Sequence, residues 1–532
     1  MRIPKKKELL ELQKKYHTDR KIGEVYGVPG RLVTYWRSKK NIGPYSLPKY
    51  SRERIIDLWE RYGDDKLAGV ELGISGPGFR RWRLQYGLKQ KPPVLKMEQL
   101  EFGFIDISRF GKSSRRETFV RKILARKAGL KTAETGQPVD ITPNFTVIVD
   151  NAAKAVDQFY ANGNSKVWDS SKIMVMLNHM PMSETENYAD DQKIIREFVR
   201  KQGISAFYDI GWGISHQVII EEGLVLPGQL VMGTDYYTSS PGCIGAFSVR
   251  ITPTEMADIW STGRTKIRVP PTIKVLINGY LSPGVSSADI ILKLSRDLSK
   301  ITGDKAIEFY GSAITAMTIS QRFTLISLAV EAGAKAAVVP FDEITQRYIK
   351  KINKNKFKPI KADIDAEYES EIEADISYLT PQVICPNSFK HISAIEDIAG
   401  KRIDHVVLGG FAGGCLDDLE IAAAILRGRR IHRGTRMLVI PGSRKTYLEA
   451  IDKGYIRALV ESGCLVLSPT YSACFGANKG MHAKGDKVLT TSRMKTDSTN
   501  GDRNSEIYIS SPATAAATAL KGAITDPRKY LL

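Results

Sequence analysis

The residues best suited by type and spacing to carry chemistry lie in Val406–Leu419, which reads VVLGGFAGGCLDDL. A short apolar run enters a loop holding four glycines, then a helix whose first turn carries Asp417 and Asp418. Where a parallel strand hands over to a helix, free N–H groups and missing side chains let a ligand approach the backbone. The same spacing fits a tight β–α turn with no ligand, because glycine-rich turns are common. A second set is basic: Arg31, Arg37, Lys39 and Lys40 cluster in one stretch, with Thr34 and Tyr35 beside them, and Arg80, Arg81 and Arg83 in another. Such a set suits nucleic-acid phosphates and a groove, with DNA the expected partner. It also suits a helical docking arm whose basic face is merely solvated. The five cysteines (243, 385, 415, 464 and 474) have no regular spacing, which argues against a disulfide framework.

The elements that position the basic set come from an internal repeat. Residues 8–37 and 54–83 match at a fixed offset of 46: Leu12 with Leu58, Tyr16 with Tyr62, Asp19 with Asp65, Gly23 with Gly69, and Trp36 with Trp82. Each copy reads as an amphipathic helix, a second short helix, a turn at Gly27-Val28-Pro29 or Gly73-Ile74-Ser75, and a third helix closing on tryptophan. That is the layout of a helix-turn-helix unit, with its last helix placed for a groove. Charge agrees, since residues 1–100 hold 23 Lys/Arg against 11 Asp/Glu within a chain of net charge +20.

At 532 residues the chain exceeds one core. The expected divisions are repeats at 1–46 and 47–92, a linker at 93–116, two α/β domains within 117–360, and a third at 361–532. No apolar run is long enough to span a bilayer, and the first residues, MRIPKKKELLELQ, lack a signal peptide's apolar core. Cytoplasmic residence is the expectation.

From Glu117 onward, longer stretches carry a resemblance. They include ETFVRKILARKAG, KVWDSSKIMVMLNHMP, GISHQVIIEEGLVLPGQLVMGTDYYTSSPGCIGAF, SQRFTLISLAVEAGAKAAVVPFDE and SEIYISSPATAAATALKGAITDPR. In this order they resemble the large subunit of 3-isopropylmalate or homoaconitate dehydratase, in the aconitase family. The resemblance implies an aconitase-like multi-domain α/β large subunit, here preceded by a small all-α tandem helix-turn-helix region. It also implies a hydro-lyase that removes and re-adds water on a hydroxy-polycarboxylate. In such enzymes an open iron of a [4Fe–4S] cluster acts as Lewis acid, and carboxylate–histidine pairs manage protons.

Carried over by position, the resemblance implies a mixed site. The first cluster cysteine falls on Phe411, the second on Tyr471, and only Cys474 remains. The cluster is therefore not expected to assemble, because one thiolate cannot hold a cubane. Cys415 and Cys464 could join Cys474 only along a different backbone path, and otherwise read as small buried residues. The family's Asp-His pair becomes Asn178-His179. His216 with Asp235 keeps a second pair, or forms a satisfied buried pair. Glu331 persists, while its histidine partner is Tyr237 and the neighbouring serine is Tyr236. A family asparagine is Ser327. Arg493 keeps one substrate arginine; the other falls near Ser498, with Arg503 shifted. The resemblance further implies a polycarboxylate ligand and a separate small-subunit partner carrying the swivelling domain. Three readings remain: a cluster-free ligand-binding or regulatory protein with its arm on DNA, an active hydro-lyase with a remodelled site, and a docking scaffold for protein or RNA.

Overall fold

Short amphipathic periods in the first hundred residues give short helices that must pool their apolar faces. The computed structural model describes residues 4–16, 18–42, 54–56, 58–59, 65–70, 72, 74, 76–86, 88, 116–178, 186–386, 391–470, 483–491 and 505–531. His179, Tyr471, Cys474, Arg493, Ser498 and Arg503 lie outside them. The chain divides into two compact units, 1–112 and 113–532.

In the first unit, helices Lys6–Tyr16, Asp19–Tyr26 and Gly30–Lys39 close on Leu9, Ile22, Val33 and Trp36, all buried. Each such side chain contributes about 1.5–3 kcal/mol on burial. Thr18 caps the second helix, accepting the Lys21 N–H at 3.4 Å. The core also holds an ion pair. Arg37 Nε donates to Asp19 Oδ1 at 2.6 Å, its Nη2 meets Asp19 Oδ2, and its Nη1 donates to the Ile42 carbonyl at 3.1 Å. The pattern recurs 46 residues on: Arg83 Nη2 donates to Asp65 Oδ2 at 2.8 Å, its Nε meets Asp65 Oδ1, and its Nη1 donates to the Leu88 carbonyl at 2.8 Å.

The second unit alternates strands and helices into three main sheets. In the first, the order is Ala206–Tyr208, Ile173–Met176, Phe145–Ile148, Leu230–Gly233, Phe247–Arg250, all parallel. The inner strands FTVI, IMVM and LVMG are buried at every residue, as parallel strands covered on both faces must be. The second sheet runs Ala336–Val338, Ala306–Tyr310, Thr272–Asn278, Ser370–Asp375. Its last strand, SEIEAD, alternates half-buried with exposed residues, as an edge does. This sheet takes in chain beyond residue 360, past the boundary expected for the third domain.

The third sheet orders Ile392–Ala394, Gln382–Ile384, Glu506–Ser510, Lys487–Thr490, His405–Gly409, Arg436–Ile440, Leu465–Val466. From its central strand His405–Gly409 the chain proceeds outward on one side and returns on the other, so the Gly-rich turn sits at a topological switch point. Among the described residues, no helix is long and apolar enough to cross a membrane.

The arm's ion pairs make a stability prediction. The bond from Arg37, opposed by burial, holds the Asp19 carboxyl below the usual aspartate range. Its contribution is present above that range and is lost as pH falls through the lowered value. Asp19→Asn is expected to cost about 3 kcal/mol by stranding a buried guanidinium, while Arg31→Ala stays within about 0.5 kcal/mol. Hydrogen exchange of amides in the Asp19–Tyr26 helix checks both.

Candidate functional site

The C-terminal ends of the first and third sheets face each other and meet through their loops. Ile214 N–H donates to the Gly442 carbonyl at 2.9 Å, and Arg444 N–H to the Trp212 carbonyl at 2.8 Å. Thr470 Oγ1 donates to the Asn178 carbonyl at 3.1 Å. Residues after Met176, Gly233 and Gly409 therefore converge on one region, where open α/β sheets place their ligands.

The turn after Gly409 is built for close backbone approach. Gly409 (φ 103°) and Gly414 (φ 81°) adopt left-handed backbones, and a Cβ on either would stand 2.0 or 2.3 Å from the Ile440 carbonyl oxygen. The tight-turn reading accounts for these two glycines without a ligand. The following helix, Leu416–Leu426, answers its own positive end: Cys415 N–H donates to Asp418 Oδ2 at 3.1 Å. Burial and the adjacent Asp417 push the Asp418 carboxyl up to about 7.

Between the sheets stands a column of rings. Phe411 stacks on Tyr237 (centroids 4.8 Å apart, planes at 24°), Tyr237 on His216 (5.2 Å, 30°), and His216 on Phe323 (5.4 Å, 6°). Tyr236 meets Tyr237 edge-on at 5.3 Å. His216 Nε2 also lies 2.7 Å from the Phe411 carbonyl oxygen. Phe411 thus engages the first sheet through both its ring and its backbone. Each ring pair adds about 0.5–1.5 kcal/mol beyond area burial.

The structure gathers most of the described candidate residues here. Asp235 Oδ1 accepts the Tyr237 N–H at 2.8 Å, and its Oδ2 accepts the Ser215 hydroxyl at 3.2 Å. Asp235 and His216 line one void of about 10 Å³, at the threshold for a single water. Asn178 is buried, its N–H donating to Asp150 Oδ2 at 2.9 Å, and neither side-chain amide atom has a hydrogen-bond partner among the described residues. Glu331 is buried at the end of helix Ile319–Glu331, and Tyr236 Oη donates to the adjacent Val330 carbonyl at 3.4 Å. Ser327 exchanges a 2.9 Å bond with Ser240.

The arm needs a correction. Arg37 and Arg83 are not groove-facing: both are buried and committed to Asp19 and Asp65. Thr34 spends its hydroxyl on Asp19 Oδ2 at 2.7 Å and the Gly30 carbonyl at 3.2 Å. Arg31, Tyr35, Arg80 and Arg81 remain exposed, with Lys39 Nζ 5.5 Å from the Tyr35 ring centroid.

A cubane needs sulfur donors in this region. Phe411 brings carbon alone to the turn, and its ring is already packed against Tyr237. The thiols described nearby lie in apolar surroundings: burial raises Cys415 well above the usual thiol value and pushes Cys243 and Cys464 up to about 12. Cys415 and Cys464, the described members of the alternative thiolate set, sit in separate apolar cores. These residues do not fit a three-thiolate cluster.

Sequence reasoning missed Phe323, the outer ring of the column, because an apolar residue on an apolar helix gives no sign of stacking on a distant histidine. It also missed the buried Gln217–Glu221–Thr446 group, where Gln217 Nε2 donates to Glu221 Oε1 at 2.7 Å and to Thr446 Oγ1 at 3.0 Å.

Comparison with known proteins agrees with this architecture. The sequence profile of the aconitase family (aconitate hydratase) matches residues 130–399 and 390–522. The 3-isopropylmalate dehydratase large subunit 1 of Methanopyrus kandleri is 38% identical over 417 residues, covering 78% of this chain and 100% of that one. The probable 3-isopropylmalate dehydratase large subunit of Methanothermobacter thermautotrophicus is 37% identical, covering 77% and 98%. The large subunit from Clostridium botulinum (strain Alaska E43 / Type E3) is 37% identical, covering 77% and 99%.

The column predicts an energetic signature. Phe411→Ala is expected to cost about 3–5 kcal/mol. A double-mutant cycle with Tyr237→Ala should return about 1 kcal/mol of coupling. Denaturant unfolding of the single and double variants measures both.

Proposed function

The chain belongs to the aconitase family, and from that premise we propose a member that works without an iron–sulfur cluster: a ligand-binding or regulatory protein that contacts DNA through its N-terminal arm. The observation that carries this reading is the Phe411 ring, which occupies the turn where the family resemblance puts the first cluster thiolate. Iron at that place needs a sulfur donor, and a phenyl ring locked against Tyr237 supplies none. The altered groups suit recognition more than turnover. Asn178 offers a neutral amide where the family has an aspartate, so it cannot stabilise an imidazolium as a carboxylate does. Its buried amide atoms, unpartnered among the described residues, suit a small polar ligand. The resemblance gives that ligand as a polycarboxylate, with Arg493 as its counter-charge.

The second reading is an active hydro-lyase or isomerase, in which Glu331, His179, His216 and Asp235 move protons around a remodelled site. What favours it is coverage: the chain spans nearly the whole of its dehydratase relatives. Those relatives are named large subunits, which supports a small-subunit partner here as well. Cytoplasmic residence fits both readings.

For the arm, the support is the division between inner and outer cations. Arg37 and Arg83 hold each repeat together, which leaves Arg31, Arg80, Arg81 and the exposed Tyr35 for a phosphate backbone and groove. A protein- or RNA-docking role for the arm would use the same surface without a duplex preference.

Anaerobically purified protein is expected to be colourless near 400 nm, with negligible iron and acid-labile sulfide; about four of each per chain would reverse the reading. Turnover of a 2- or 3-hydroxy acid that vanishes in Glu331→Gln would establish the hydro-lyase instead. Duplex DNA binding should weaken steeply with salt, and Arg80→Ala with Arg81→Ala should lower the slope of log K against log salt by about 2. Salt-independent binding, or a preference for protein or RNA, would transfer the arm to the docking role.

A further inference from the structure

A cavity of about 310 Å³ lies apart from the ring column, at the low end of the range that holds small molecules. It is walled by the first turns of four helices: Ser287–Ile301, Ile319–Glu331, Leu416–Leu426 and Pro512–Lys521. Converging helix starts would ordinarily attract an anion. Here three of them are answered from within the chain. Asp289 Oδ2 accepts the Ser286 N–H at 2.7 Å, Gln321 Oε1 accepts the Thr318 N–H at 2.9 Å, and Asp418 Oδ2 accepts the Cys415 N–H.

What remains on the walls is acidic and hydroxylic. Asp417, Asp418 and Glu420 border the cavity, and among the described residues no lysine, arginine or histidine lines it. Burial, with the Glu420 and Glu449 charges adding to it, raises the Asp417 carboxyl above the usual aspartate range, although the bond from Thr318 opposes the shift. A polycarboxylate is therefore repelled. The acids do not converge on a metal ion either. Asp418 turns to its own helix start, Asp417 Oδ2 accepts Thr318 Oγ1 at 2.9 Å, and Glu420 Oε1 accepts Tyr455 Oη at 2.6 Å. No group of three metal-ligating side chains occurs among the described residues.

The independent sign of a ligand comes from two hydroxyls. Ser287 and Thr324 line the cavity at only 2% and 5% exposure. Neither hydroxyl has a hydrogen-bond partner among the described residues. Buried hydroxyls are ordinarily paired, and two that border one cavity can both be satisfied by a single guest.

We propose that this cavity binds a small alkylammonium ligand: a protonated amine with a second polar group a few carbons away. The ammonium takes the negative end at Asp417, and the second group takes Ser287 and Thr324. The exposed Glu420 and Ala424 mark the side open to solvent. The site is independent of the cluster question, because none of the residues lining it is a ring of the column.

Titration calorimetry on the full chain tests the proposal with a four-carbon series of constant length: 4-amino-1-butanol, 1,4-butanediol and succinate. The amine is expected to bind at least about tenfold more tightly than the diol, with no competition from succinate. Asp417→Asn should weaken the amine by about tenfold or more. Thr324→Val keeps the side-chain shape and removes only an unpaired hydroxyl, so it should weaken binding several-fold while leaving the melting temperature unchanged. Ser287→Ala should behave alike. The proposal is overturned if the amine gives no heat, if the diol binds as well, or if these substitutions leave amine affinity untouched. It is equally overturned if Thr324→Val lowers stability and binding together, since the hydroxyl would then be a structural group.

Discussion

The second unit depends on the meeting of two sheet ends, where loop-to-loop backbone bonds are joined by a stack of rings. Phe411 leaves the central strand of the third sheet, lays its ring on Tyr237 and gives its carbonyl to His216. Tyr237 and His216 follow from the first sheet's strand ends and the helix packed beside them. The joint is dry and aromatic, with Tyr237 at 4% exposure and Phe411 at 9%. Rings held this way have little freedom to move aside, because a packed core shifts between discrete arrangements and does not deform smoothly. A ligand entering here must use polar groups around the column, such as the Asn178 amide, and not the column's own volume.

The joint also shows what holds this turn in place. The turn at Gly409–Gly414 is fixed by its approach to the Ile440 carbonyl, a backbone requirement indifferent to what the residue between them offers a ligand. The helix start beyond it is satisfied by Asp418, again with no external group. The glycines and Asp418 thus answer to backbone packing within the turn, whatever side chain stands at position 411.

Much of this was legible in the sequence, for physical reasons. Long apolar runs such as IMVM and VVLG must be covered on both faces, which forecasts buried parallel strands. The ordered family-like stretches fixed the α/β class. Gly409 and Gly414 were visible as glycines, but whether they served a ligand or a neighbour depended on Ile440, which no local pattern names. Phe323 was invisible for the same reason. The strand Ser370–Asp375 joined the second sheet and not the third, because pairing with Thr272–Asn278 is a long-range contact. The largest error was in the arm. Arg37 and Arg83 looked like surface cations, since arginine on a short amphipathic helix usually is one. Their partners Asp19 and Asp65 were already in the repeat, and the shared offset of all four was the signal that they belong together.

That offset also bears on how the arm can act. Positions turned inward are the same in both copies: Asp19 matches Asp65, and Arg37 matches Arg83. Positions turned outward differ, since Thr34 stands where the second copy has Arg80, and Tyr35 where it has Arg81. A guanidinium held by a carboxylate on one side and a carbonyl on the other has fixed geometry, and so sets the angle of the third helix in each copy alike. The two copies then present one backbone frame with two different faces.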